Sequence, residues 1–104
     1  MQLYPLKLVT VVGETVIMDD IAKEGIQLGA TGYTLSEVAG QGSRGARAEI
    51  ITGAAKTMKC EFVVPMDVAE KILRHVSHDY FEHYACIAWL SDVQVVRGQA
   101  YVTP

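Results

Sequence analysis

The hydrophobic pattern of the chain switches between a period of two and a period near 3.6, and each switch marks an element. Lys7-Leu-Val-Thr-Val-Val12 is a β-branched run that predicts a first strand. From about Thr15, Ile17, Ile21 and Leu28 fall on one helical face with Asp19, Asp20, Lys23 and Glu24 on the polar side, and Gly29 is placed to end the helix. Gly32 to Val38 reads as a second strand, and the stretch from there to about Lys56 carries Gly40, Gly42, Gly45 and Gly53 and shows no regular period. Thr57 to Val64 returns to alternation, with Met58, Cys60, Phe62 and Val64 on one face and Pro65 as its boundary. The next segment, to about Tyr80, places Ala69, Ile72, Leu73, Val76 and Tyr80 on a buried side and Asp67, Glu70, Lys71 and Arg74 outside. Cys86 to Val96 closes the pattern as a fourth strand.

The order β-α-β-β-α-β is that of the split βαβ unit, an α+β ferredoxin-like arrangement with two helices on one face of a four-stranded antiparallel sheet. Residues 1–104 make a single domain, since a chain of this size buries about two-thirds of its unfolded surface around one core. The strands carry apolar residues on both parities: Val9 and Val11 beside Leu8 and Val12, and Phe62 beside Val63. The face without helices therefore needs a cover, and oligomerisation is the economical one.

Composition excludes several classes. A formal net charge of −3 argues against a nucleic-acid binder, which shows a basic face with interleaved aromatics. No apolar run reaches the roughly 18–20 residues that span a bilayer, and Met1-Gln-Leu-Tyr-Pro5 lacks the charged and apolar regions of a secretory leader. The expectation is a cytoplasmic protein with no direct membrane insertion. Cys60 and Cys86 form neither a CxxC pair nor a metal-ligand spacing, and the alternation around Cys60 makes it a small buried apolar side chain.

The chemistry is concentrated in the loop of about residues 39–56. Gly40, Gly42 and Gly45 allow backbone N–H groups to approach an anion closely, and Arg44 and Arg47 add forked, permanent charges. No acidic residue interrupts Val38 to Ala48, so the local field is positive on an acidic chain. That arrangement predicts an anion-binding site.

Gly32-Tyr-Thr-Leu-Ser-Glu-Val-Ala-Gly-Gln-Gly42 and Lys59-Cys-Glu-Phe-Val-Val-Pro65, taken with the topology, resemble the PII signalling family, and the similarity covers nearly the whole chain. The family is trimeric and binds adenine nucleotides between subunits beneath a long T-loop, so the resemblance implies a homotrimer. Gly42-Ser-Arg-Gly-Ala-Arg47 and Asp79-Tyr-Phe-Glu-His-Tyr-Ala-Cys-Ile87 are similar to the PII-like proteins of inorganic-carbon uptake, the SbtB-like and carboxysome-associated groups. The uridylylated tyrosine motif and the G-D-G-K segment of other members are missing. The resemblance implies a regulator that senses cAMP, AMP, ADP or ATP and docks its T-loop on a membrane bicarbonate transporter. It would then sit peripherally at the inner membrane. A carboxysome-associated sensor of ADP or AMP together with bicarbonate is the alternative. Residue by residue, the resemblance places Gly40, Gly42, Ser43, Arg44 and Arg47 at the phosphates and Thr34 and Val63 at the adenine. Cys86 and Ile87 fall at a backbone position near the nucleotide, and Arg97 matches a cationic residue late in the family.

Other constellations are weaker. His75 and His78, at i,i+3, lack a third ligand at metal-binding spacing, and Asp19-Asp20 lie on a helix exterior. Tyr80, Phe81 and Tyr84 read as packing at a helix end. No Ser-His-Asp arrangement or Walker sequence occurs, and the expectation is a regulator and not an enzyme.

Overall fold

The structure, a computed structural model, describes residues 1–39 and 57–97. Its elements are β1 (Leu3–Glu14), α1 (Thr15–Gln27), β2 (Thr34–Val38), β3 (Thr57–Val64), α2 (Met66–Tyr80) and β4 (Cys86–Val96). The four strands form one antiparallel sheet in the order β2-β3-β1-β4. This is the βαββαβ ferredoxin-like arrangement that the pattern predicts.

Register sorts the side chains between two faces. Val9, Val11, Cys60, Phe62 and Val64 share one face and are fully buried beneath the helices, together with Ile17, Met18 and Ile21 of α1 and Ala69, Ile72 and Val76 of α2. Leu8 opposite Val63, Thr10 opposite Glu61, and Val12 opposite both Lys59 and Ile87 lie on the other face. No helix of this chain covers that side among the described residues. Ile87 is 58% exposed and Trp89 44%.

Close helix-to-sheet packing depends on a small residue. Gly25 of α1 sits directly on the Phe62 ring, where an added Cβ would come within 2.2 Å of Cε1. Gly29 then ends α1 at φ +123°, with Ala30 N–H donating to the Gly25 carbonyl and Gly29 N–H to that of Ile26, the paired bonds of a Schellman stop.

Two strand starts and one side-chain assignment differ from the sequence reading. β1 begins at Leu3, four residues before Lys7, because β4 runs on to pair Leu3 with Val96. Pro5 is tolerated there because pairing with β3 starts only at Lys7, so the missing N–H falls where β1 lacks a β3 neighbour. β2 begins at Thr34, not Gly32. Glu24, expected on the solvated side of α1, is half-buried against α2.

Candidate functional site

Thr34 is the first residue of β2 and faces Glu61 of β3, on the helix-free side of the sheet. Val63 lies two residues further along β3 on that same side, so the two form a diagonal neighbour pair within about 7–8 Å. Thr34 is exposed and Val63 half-buried. Ile87 shares this face, but at the opposite edge. Three strand spacings separate β2 from β4, which puts Ile87 about 14 Å or more from Thr34. One protomer therefore brings Thr34 and Val63 together but leaves Ile87 at the far edge of the sheet.

Cys86 points to the helix side and packs on Gly13, where an added Cβ would meet its Sγ at 3.4 Å. Burial pushes its thiol up to about 11, and the charge of Glu14 adds to the rise. Burial, with Glu61 adding, pushes the Cys60 thiol up to about 12. Neither sulfur is a ready thiolate. Arg97 follows the last residue of β4, exposed, in the left-handed region at φ 65°. Only a few per cent of non-glycine residues adopt such a conformation, roughly 1–2 kcal/mol above the right-handed one. Gly40, Gly42, Ser43, Arg44 and Arg47 lie outside the described residues.

The approach to Cys86 and Ile87 carries anchors that sequence reasoning missed. Tyr80 OH donates to both oxygens of Glu24, at 2.8 and 2.9 Å, and His75 Nε2 lies 2.5 Å from the same carboxylate. Burial and then the Glu24 contact push the Tyr80 hydroxyl well above its ordinary range. His75 Nδ1 lies 3.6 Å from Asp79, whose carboxyl is held low chiefly by its hydrogen bond to His78. Five residues on, Ala85 N–H donates to Glu14 Oε2 at 2.6 Å, while Glu14 N–H donates to the Ala85 carbonyl at 3.3 Å. No spacing rule would have found these pairs, which lie 56 and 71 residues apart in the chain. The one available hint is that Glu14 stands where a helix usually carries Ser, Thr, Asp or Asn as its cap.

His78 is exposed on α2, and among the described residues no His, Cys, Asp and Glu group could hold a metal ion. Tyr80 and Tyr84 are tilted neighbours with ring centroids 5.9 Å apart. A shallow groove beside them, lined by Glu70, Leu73, Arg74, Ser77, Phe81 and Ala88, runs between α2 and β4 and is bordered by none of Thr34, Val63, Cys86 or Ile87. None of the described helices is long and apolar enough to cross a membrane.

Comparison with known proteins bears directly on this arrangement. The crystal structure of a PII-like signalling protein from Thermus thermophilus is 40% identical, with a TM-score of 0.82 over 98% of this chain and 100% of that one. CPII from Thiomonas intermedia, bound to ADP, AMP and acetate, superimposes with a TM-score of 0.82 at 21% identity, over 99% of this chain and 100% of that one. The same protein bound to ADP, AMP and bicarbonate gives 0.75 at 23% identity, over 92% and 98% of the two chains. At that level of identity CPII speaks for the fold. The model of nitrogen regulatory protein P-II matches residues 6–100. With nearly every described element inside that match, the chain belongs to the P-II family of regulatory proteins.

Proposed function

We propose that this protein is an adenine-nucleotide-sensing regulator that works as a homotrimer and holds each nucleotide between neighbouring subunits. The observation that carries the reading is the separation of Thr34 and Val63 from Cys86 and Ile87 by most of the width of the sheet. Two half-sites at opposite edges become one site when copies pack side by side. The exposed Ile87 and Trp89 on the helix-free face support such packing, because their burial removes apolar surface from water.

In this reading Thr34 and the Val63 strand receive the adenine from one subunit, and Cys86, Ile87 and Arg97 close over it from the next. β4 is an edge strand, and backbone groups alternate in direction along an antiparallel ladder. One of Cys86 and Ile87 consequently turns both its N–H and its C=O outward, a donor-acceptor pair suited to the edge of a purine. The phosphates fall to Gly40, Gly42, Ser43, Arg44 and Arg47. Each charge-assisted contact contributes roughly 1.5–3 kcal/mol. Ligand-dependent ordering of the T-loop then lets a partner read the nucleotide state, with a membrane bicarbonate transporter as the target on the cytoplasmic side.

A second reading, a sensor that binds ADP or AMP together with bicarbonate, is favoured by CPII, whose structures hold ADP, AMP and either bicarbonate or acetate. Calorimetric titration of cAMP, AMP, ADP and ATP, each with and without bicarbonate, tests both. Micromolar binding independent of bicarbonate fits the first, and a bicarbonate-dependent gain fits the second. Silence from every nucleotide overturns both.

A further inference from the structure

We infer that Glu14 is a positioning residue for the nucleotide site, fixing through the backbone of Ala85 where Cys86 and Ile87 enter the sheet. The inference rests on the reading that the start of β4 contacts the nucleotide. α2 ends at Tyr80 and β4 begins at Cys86, so only residues 81–85 connect them. Both ends of that connection are tied to the β1–α1 hairpin. Tyr80 OH is held by Glu24 at 2.8 Å, and Ala85 N–H is held by Glu14 Oε2 at 2.6 Å.

The Glu14 attachment is the closer of the two to the proposed ligand. It forms a reciprocal ring, since Glu14 N–H also donates to the Ala85 carbonyl at 3.3 Å. Gly13 makes the approach possible: a Cβ there would stand 3.2 Å from the Ala85 carbonyl oxygen and 3.4 Å from Cys86 Cβ. A carboxylate accepting a backbone N–H is a charge-assisted bond, stronger than a neutral one and more exacting in geometry. Its acceptor comes from the last residue of β1, immediately before α1, so the position of the helix start is passed to the edge of the site. Glu14 touches no nucleotide in this account. It sets the backbone that does.

The test is calorimetric titration of ADP into the full chain, in wild type, E14A and E14Q, with assembly mass followed by light scattering and amide exchange by NMR. E14A is expected to keep its assembly mass, bind ADP about tenfold more weakly, and exchange the Ala85 amide at least about tenfold faster, with the Phe62 amide unchanged. E14Q retains an acceptor oxygen and is expected to return ADP affinity to within about threefold of wild type. A purely structural role would lower stability in both variants without that rescue. If E14A does not fold, E14D, whose shorter side chain withdraws the acceptor, carries the same expectation. Wild type that binds ADP alongside a folded E14A of equal affinity overturns the role of Glu14 alone. Wild type that binds no ADP overturns the nucleotide reading and this inference with it.

Discussion

The two faces of the sheet are built from the same alternating strands and end in opposite conditions. On the helix side Val9, Val11, Cys60, Phe62 and Val64 are fully buried, and the cover comes from α1 and α2 of the same chain. On the other side Leu8, Val12 and Val63 are half-buried while Ile87 and Trp89 stand exposed, with Thr34, Lys59 and Glu61 interleaved. The face covered by the helices is apolar at its centre, with Lys7, Asp92 and Glu37 only toward its margins. The uncovered face mixes polar with apolar groups, which is what the proposed subunit contact and ligand site would need. The same register that makes the first face stable makes the second one available.

The sharpest way to break the contrast is at Phe62, the largest fully buried side chain. F62A is expected to lose about 3–5 kcal/mol in urea unfolding, because the cavity beneath α1 cannot fully collapse. Gly25 sharpens it from the other partner. G25A forces a Cβ into the ring of Phe62 and is expected to cost about 1–3 kcal/mol, part of which F62L should recover in a double-mutant cycle. Additive single effects would mean the two residues do not share a contact.

On the helix-free face the expectation reverses. W89E changes a 44% exposed side chain and is expected to shift the unfolding free energy of the dissociated chain by no more than about 0.5 kcal/mol while abolishing assembly in light scattering. An intact assembly would remove this face from the subunit contact.

The smallest effect is a pH slope. The Cys60 thiol is raised from 9.0 to about 12 in the folded chain, so its stabilising contribution is complete below 9.0 and is lost as pH climbs toward 12. The melting temperature of wild type should therefore fall more steeply across that window than that of C60A. Equal slopes would exclude Cys60 as the titrating group.

Much of this architecture was legible in the sequence because it depends on local period. The alternation of Met58, Cys60, Phe62 and Val64 predicts the inward face of β3, and Gly29 predicts the end of α1. The parity of Leu8 and Val63 also signals a second apolar face. Pro5 hid the beginning of β1, because its tolerance depends on where β3 stops, a fact of register and not of composition. Met18, Ala22 and Val68 are buried although the leading periodic residues did not include them, since both helices present a broader stripe to the sheet. Of the proposed site, the glycine and arginine loop was picked out by its motif and Thr34 by the family resemblance, whereas Glu14, Glu24 and Tyr80 gave no such signal. Their partners lie more than 50 residues away, and a lone carboxylate looks the same whether it meets water or a backbone amide.

The central position of β1 has a further consequence, for how the molecule reaches its fold. The strand leaves the ribosome before either partner, since Lys7 pairs with Val64 and Leu3 with Val96. Loop closure over such separations is entropically costly, and each edge of β1 stays unpaired until its own partner strand has emerged. Before β3 emerges, β1 exposes both edges of an apolar strand, and Pro5 denies an incoming chain one donor on the edge that faces β3. The residue that obscured the strand in the sequence thus guards the nascent chain against pairing with a stranger.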